Sequence, residues 1–120
     1  MAKKRILIFD DDQATLEVLQ IVLVETGYEI EISETSHDII DRVLDFVPDL
    51  VLMDNHIPDI GGVAAIQLLR TKNEFNNIPV LLVSASSQII SLKKDSGADD
   101  YVRKPFDLGE LETLIAKHLG

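Results

Sequence analysis

The chain has 120 residues, of which 46% are hydrophobic and 27% charged, and its formal net charge is -10. This fits one compact domain, residues 1–120, that buries a core without disulfides, and the absence of cysteine excludes thiolate catalysis and cysteine-based zinc sites. The negative charge argues against direct nucleic-acid binding, which depends on clustered Lys and Arg.

The chain begins with basic residues, but only four apolar residues, 6–9, follow them, too few for a secretory signal. No apolar run reaches membrane-spanning length, so we expect a cytoplasmic protein with no membrane partner. Residues 5–9 predict a strand buried on both faces that ends in Asp10, Asp11 and Asp12. Asp12 is interpreted as a helix-start residue, and the apolar spacing of 13–26 predicts a helix that Gly27 ends.

The next two units repeat the pattern of a strand followed by a helix. Residues 29–34 alternate polar and apolar, which predicts a strand near a sheet edge, and Ser36 is the predicted cap of a helix that Pro48 ends. Residues 50–53 predict a buried strand that ends in Asp54. A loop over 55–62 and a helix from Val63 follow.

The last two units complete the chain. Residues 80–83 predict a buried strand ending at Ser84, followed by a short amphipathic helix that Gly97 ends. Residues 101–103 predict a final strand leading to Lys104, Pro105 and Phe106. Asp107 and Glu110 have the spacing of a capping box for the last helix. Asp99 and Asp100 are interpreted as solvated loop, and His37 and His118 receive no role.

Five strand–helix units predict an α/β domain, a parallel sheet with helices on both faces. In such sheets the functional site lies beyond the carboxyl ends of the strands, near the point where strand order reverses. Four polar residues occupy such ends: Asp10, Asp54, Ser84 and Lys104.

The acids at these ends suggest phosphoryl chemistry. Carboxylates brought close together raise one another's pKa, and a divalent cation relieves this; all-oxygen ligands indicate Mg²⁺, with Mn²⁺ as the alternative. A carboxylate can attack phosphorus if the charge that gathers on the phosphoryl oxygens is offset. A Lys ammonium and a Ser hydroxyl suit that role, and Lys104 and Ser84 are the candidates.

The sequence resembles the receiver domains of two-component response regulators over nearly its whole length, from Ile6 to about Leu119. Five motifs agree in order and spacing with that family: Asp10-Asp11, Asp54-Asn55-His56-Ile57-Pro58, Ser84-Ala85, Tyr101, and Lys104-Pro105-Phe106. The resemblance implies a doubly wound, flavodoxin-like three-layer sandwich with strand order 2-1-3-4-5.

The resemblance also implies a role for each matched residue. Asp54 would be the nucleophile that accepts a phosphoryl group from the phosphohistidine of a histidine kinase or phosphotransfer protein. Mg²⁺ would bind Asp11, Asp54 and the backbone carbonyl of His56, with Asp10 acting through a bound water. The Lys104–Pro105 peptide bond would be cis. Ser84 and Tyr101 would couple phosphorylation to the face formed by the fourth helix, fifth strand and fifth helix, where an output partner, or a second copy on phosphorylation, would bind.

Two other functions remain open at this stage. A haloacid-dehalogenase-type phosphatase also forms an aspartyl phosphate, and residues 10–12 offer its Asp-x-Asp, but it requires Thr where position 14 is Ala. A receiver-shaped interaction module that takes no phosphate would lack an acid or the Lys, and all are present here. The segment between Ser84 and Gly97 is about two residues shorter than the family usually has, which would remove roughly half a helical turn from the fourth helix or its entry loop, on the output face.

Overall fold

A computed structural model describes residues 3–120, and Met1 and Ala2, part of the predicted domain 1–120, lie outside the described residues. Within residues 3–120, five strands alternate with five helices, and one short 3-10 helix precedes the fourth strand. In chain order the elements are β1 Arg5–Phe9, α1 Gln13–Thr26, β2 Glu29–Ser33, α2 Ile39–Phe46, β3 Leu50–Asp54, α3 Gly62–Arg70, the 3-10 helix Asn73–Phe75, β4 Val80–Ser84, α4 Ile89–Ser96, β5 Asp100–Arg103 and α5 Leu108–Leu119.

The strands form one parallel sheet in the order β2-β1-β3-β4-β5, so the predicted fold is confirmed. The three central strands are buried along nearly their whole length, as their continuous apolar runs predict. β2, with its alternating pattern, lies at one edge of the sheet and β5 at the other. Strand order reverses between β1 and β3, which places the carboxyl ends of these strands at the predicted site.

Each face of the sheet carries its own hydrophobic core. Helices α2, α3 and α4 cover one face through side chains such as Val43, Ile66 and Ile89. Helices α1 and α5 cover the other through Leu19 and Ile115. The two sets of helices and the sheet between them are the three layers of the sandwich. None of the helices in residues 3–120 is long and apolar enough to span a membrane.

Arg70, at the end of α3, ties three segments together. Its guanidinium donates to the carbonyls of Phe75, Ile78 and Gly97 at 3.0–3.1 Å, and to Asp99 Oδ2 at 2.7 Å. The same Asp99 oxygen accepts from the Val80 N–H at 2.8 Å. Asp99 lies in an exposed loop, as predicted, but it also joins α3 to the start of β4 through these hydrogen bonds, which the sequence did not indicate.

Asp100 was also interpreted as loop, but it begins β5. Its carboxylate accepts from the Tyr101 N–H at 2.9 Å and lies 3.1 Å from His118 Nε2. These contacts lower the pKa of Asp100 against the opposing effect of its burial, which is the largest single influence. His118, which received no role from the sequence, thus fixes the end of α5 against the start of β5.

Val47 ends α2 in an unusual backbone conformation. Its φ of 53° and ψ of 63° place it in the left-handed region, which a β-branched residue rarely adopts. Its N–H bonds to the Val43 carbonyl, and its side chain is 64% exposed. The conformation is therefore imposed by the turn from α2 into β3, with little compensation from burial of the side chain.

Candidate functional site

Three carboxylates meet at the carboxyl ends of β1 and β3. Asp10 and Asp11 follow β1, and Asp54 is the last residue of β3. One oxygen from each lies within 4.8 Å of the others. Asp10 and Asp54 are buried, at 3% and 5% exposed, while Asp11 faces solvent. The parallel register of β1 with β3 produces this meeting, because it pairs Phe9 with Met53 and leaves the two acids side by side.

Lys104 reaches the carboxylates from the end of β5. Its ammonium Nζ lies 3.3 Å from Asp10 Oδ2 and 3.6 Å from Asp54 Oδ1. Its backbone N–H donates to the Ser84 carbonyl at 2.9 Å, and the Lys104–Pro105 peptide bond is cis. The ammonium therefore sits between two buried carboxylates, placed to interact with any anion that forms on Asp54.

The site has more negative than positive charge. Burial is the largest cause that raises the pKa of Asp54, and the nearby Asp10 raises it further. Lys104 and the backbone N–H of His56 act in the opposite direction but do not cancel the shift. The three carboxylates form an all-oxygen donor set whose negative charge the single Lys104 ammonium does not balance, which fits a hard divalent cation such as Mg²⁺.

Ser84 lies at the end of β4, next to the strand that carries Asp54. The register pairs Asp54 with Val83, and the Asn55 N–H donates to the Val83 carbonyl at 2.9 Å. Ser84 is fully buried, and its Oγ accepts from the Ser86 N–H at 3.0 Å. Because Oγ is the acceptor in this contact, its own proton is available for a further hydrogen bond.

Tyr101 shares a face of the sheet with Ser84. β5 pairs Tyr101 with Leu82 and Arg103 with Ser84, and residues two apart on a strand point to the same side. Tyr101 is half-buried against the core that α2, α3 and α4 cover, with the Arg103 guanidinium 5.7 Å from its ring centroid. The tyrosine therefore lies diagonally across from the hydroxyl to which the resemblance couples it.

His56 extends into solvent from the loop that follows β3. Its backbone N–H interacts with the Asp54 carboxylate. The buried side chain of Ile57, the next residue, fixes this part of the loop in the core. The backbone of His56 is thus the part of the residue that lies beside the carboxylates, while its ring is exposed.

Gly62 contacts the site in a way that the sequence did not reveal. A Cβ added to Gly62 would lie 2.4 Å from the Asp54 carbonyl oxygen and 2.8 Å from Asn55 Cα. The Gly62 N–H also donates to the Asn55 carbonyl at 3.1 Å. The start of α3 therefore packs directly on the backbone of Asp54. The Gly-Gly pair in the predicted loop was the only signal available for it.

Ser36 does not cap α2, so this prediction is wrong. The helix begins at Ile39, after Asp38, and the Ser36 hydroxyl instead donates to the Pro58 carbonyl at 2.7 Å. The physical reason is burial: Ser36 is fully buried, and its hydroxyl satisfies a carbonyl of the neighbouring loop. Asp12 does occupy the N-cap position of α1, where its carboxylate accepts from the Thr15 hydroxyl.

A sequence model of the response regulator receiver domain family matches residues 6–116. The DNA-binding response regulator MtrA of Mycolicibacterium smegmatis is 33% identical over 119 residues, which are 98% of this chain and 51% of MtrA. The chain thus spans about half the length of the curated relatives it matches.

Solved structures agree with the fold. A crystal structure of a response regulator from Chloroflexus aurantiacus matches with a TM-score of 0.91 and 28% identity over 98% of both chains. The receiver domain of the sensor histidine kinase PA1611 of Pseudomonas aeruginosa, solved with a magnesium ion in its active site cleft, matches with a TM-score of 0.89 and 22% identity over 99% of both chains.

Proposed function

The chain belongs to the response regulator receiver domain family, and from this membership we propose that Asp54 accepts a phosphoryl group from the phosphohistidine of a histidine kinase or a phosphotransfer protein. One observation carries the proposal: a buried carboxylate at the end of β3 lies with two further carboxylates and one Lys ammonium. A phosphatase of the haloacid-dehalogenase type is not favoured, because the family match spans residues 6–116.

Asp10, Asp11 and Asp54, with the backbone carbonyl of His56, would hold Mg²⁺, or Mn²⁺ as the alternative. When bound, the cation offsets the negative charge that builds on the phosphoryl oxygens. The raised pKa of Asp54 supports this assignment, because burial beside Asp10 disfavours its charged form until a cation is close by. The magnesium in the PA1611 receiver domain supports it by analogy.

In the transfer itself, an Asp54 carboxylate oxygen attacks phosphorus. An O–P bond forms as the P–N bond to the donor imidazole breaks, and the electron pair of that bond goes to the imidazole nitrogen. Lys104, 3.6 Å from Asp54 Oδ1, provides a point charge for one phosphoryl oxygen, and the Ser84 hydroxyl donates to another. The domain promotes its own modification in this way and acts on no separate metabolite.

An apolar groove beside Lys104 is where the phosphodonor would dock. It runs between the start of α1 and the β5–α5 loop, lined by Ala14, Thr15, Val18, Ala85, Lys104, Pro105, Phe106 and Leu108. Val18 is 43% exposed although it is apolar. A donor helix that covers this groove would bring its histidine to the Asp54 side of the fold and exclude water from the transfer.

Phosphorylation would change the face formed by α4, β5 and α5, which is the proposed binding surface for a partner. Ser84 would turn toward the new phosphoryl oxygens, and Tyr101, on the same side of the sheet, would follow it inward. A partner protein or a second copy of the chain would then bind that face. The short α4, eight residues from Ile89 to Ser96, belongs to this surface.

The charge of the chain bears on nucleic-acid binding, and its family bears on the cell compartment. The net charge of -10 argues against nucleic-acid binding by these 120 residues alone. MtrA, about twice as long, is a DNA-binding regulator, so the expectation does not extend to a longer protein that would contain this domain. We propose a cytoplasmic location, since phosphotransfer from a histidine kinase takes place there.

The test is incubation with acetyl phosphate and Mg²⁺ followed by intact-mass measurement. Wild type should gain one phosphoryl mass, and Asp54→Asn should gain none. Asp12→Asn is the matched control, because it removes an adjacent exposed acid outside the cluster and should leave the gain intact. A wild-type chain that folds, binds Mg²⁺ and gains no mass would favour the interaction module that takes no phosphate.

A further inference from the structure

The loop between β3 and α3, residues 55–61, is held by the segment that joins β2 to α2. The buried Ser36 hydroxyl donates to the Pro58 carbonyl at 2.7 Å, and His37 Nδ1 lies 2.7 Å from Asp59 Oδ2. Because a carboxylate only accepts, Nδ1 carries the proton in this contact, whether the imidazole is neutral or charged. Two consecutive residues of one loop therefore bind two consecutive residues of the other.

Asp59 has a backbone conformation that needs such support. Its φ of 79° lies in the left-handed region, which an L residue keeps only where surrounding contacts hold it. Asp59 is otherwise exposed, as is its neighbour Ile60. The buried Ile57 anchors the start of the loop, and the Asn55–Gly62 hydrogen bond closes its ends. The middle of the loop depends on Ser36 and His37.

This middle part lies next to the phosphorylation site. His56 is two residues from Asp54 and two from Pro58, so a shift of Pro58 passes through one short stretch of backbone to the peptide beside the carboxylates. The N–H of His56 interacts with Asp54, and its carbonyl is in the proposed ligand set.

We propose that Ser36 and His37 are positioning residues of the phosphorylation site: they hold the β3–α3 loop so that the backbone of His56 stays beside Asp54. This inference rests on the proposed function. Neither side chain touches the reacting atoms, and both act through Pro58 and Asp59. No member of the five sequence motifs predicts this role, because the pairing joins residues 22 positions apart.

The first measurement uses the metal-free protein. Backbone amide hydrogen exchange is followed by NMR for the loop amides of 55–57 and 59–60. His37→Ala should speed their exchange by about 2- to 5-fold, since an exposed pair of this kind contributes little. Ser36→Ala removes a buried donor and should speed exchange by about 3- to 10-fold. In Asp59→Asn the new side chain still accepts from His37 and tolerates positive φ, so the loop amides should exchange at nearly the wild-type rate.

The second measurement is the affinity for Mg²⁺ alone, by NMR titration. Both Ala variants should bind Mg²⁺ more weakly than wild type, because the backbone of His56 is then held less firmly beside Asp54, and Asp59→Asn should not. His118→Ala is the matched control: it breaks the other imidazole–carboxylate pair, with Asp100 at the opposite end of the sheet, and should leave loop exchange and Mg²⁺ affinity unchanged.

The outcomes separate this inference from the proposed function. Unchanged loop exchange in both His37→Ala and Ser36→Ala would overturn the inference, as would faster exchange with unchanged Mg²⁺ affinity, because the contacts would then serve stability alone. If Ser36→Ala does not fold, His37→Ala decides. A wild type that binds no Mg²⁺ would overturn the proposed function and, with it, the positioning role.

Discussion

Gly62 gives the sharpest test of how the fold shapes the site. In Gly62→Ala the new methyl group would meet the Asp54 carbonyl oxygen at 2.4 Å and Asn55 Cα at 2.8 Å. Favourable carbon contacts lie at about 3.5–4.0 Å, so α3 or the Asp54–Asn55 peptide must move by about 1 Å. The perturbation therefore acts on the backbone of the proposed nucleophile without changing any group that takes part in the chemistry.

The expected stability change follows from two opposing effects. Ala is favoured over Gly in a helix by about 1 kcal/mol, whereas overpacking costs about 1–3 kcal/mol. We expect a net loss of up to about 2 kcal/mol in the free energy of unfolding, measured by urea denaturation. Gly109→Ala, in the first turn of α5, is the control. There the added Cβ meets only the end of the Asp107 side chain at 3.1 Å, so stability should not fall and should rise by no more than about 1 kcal/mol.

Gly62→Ala should also lower the rate of phosphorylation. A misplacement of about 1 Å at reacting atoms can lower a rate about 100-fold, so phosphorylation of Gly62→Ala by acetyl phosphate should slow by about 10- to 100-fold. Gly109→Ala should be phosphorylated at the wild-type rate. A Gly62→Ala protein with both wild-type stability and wild-type phosphorylation rate would refute the reasoning, since the close approach would then have no consequence.

Three further predictions concern charge, strain and buried contacts. Asp54→Asn should raise the melting temperature in metal-free buffer at pH 7, because the raised pKa of Asp54 means that its ionised form destabilises the folded state. This gain in melting temperature should shrink as the pH falls through the pKa of Asp54 in the folded state. A variant that melts at a lower temperature than wild type at pH 7 would contradict this. Val47→Asn should raise the free energy of unfolding by about 1 kcal/mol, because Asn tolerates the left-handed backbone that Val does not, while Val47→Ala should give no such gain. Arg70→Met should lower the free energy of unfolding by about 2–4 kcal/mol in urea denaturation, because it removes four donated hydrogen bonds and leaves the Asp99 carboxylate without its cation. A loss under about 0.5 kcal/mol would be inconsistent with these hydrogen bonds.

The parallel sheet was predictable because its signals are local, whereas the strand order followed only from the resemblance to the receiver family. The apolar runs of β1, β3 and β4 mark strands buried on both faces, and the alternation of β2 marks an edge. The ends of these runs also locate Asp10, Asp54 and Ser84. Parallel pairing then brings such ends to one side of the sheet without further information.

The features that the sequence did not indicate concern groups whose partners are distant in sequence. Ser36 has the right residue type for a helix cap, but its hydroxyl binds a carbonyl 22 residues away. Asp99 looks like a loop acid, yet it accepts from Arg70, 29 residues earlier. Gly62 looks like one of two turn glycines, and only the packing of α3 on β3 shows which one must lack a side chain. Such choices depend on the assembled fold, which local patterns do not encode.

The open edges of the sheet have a consequence for the behaviour of the chain at high concentration. Outer strands offer unpaired backbone groups that can recruit another strand and start aggregation. β2 carries Glu29 and Glu31 along its outer length, and the four residues of β5 include the charged Asp100 and Arg103. If the β2 strands of two chains paired, they would bring like charges together. A strand that paired with β5 would find only four residues to bind. The edges thus discourage growth by strand addition and leave the helical faces as the surfaces for specific association.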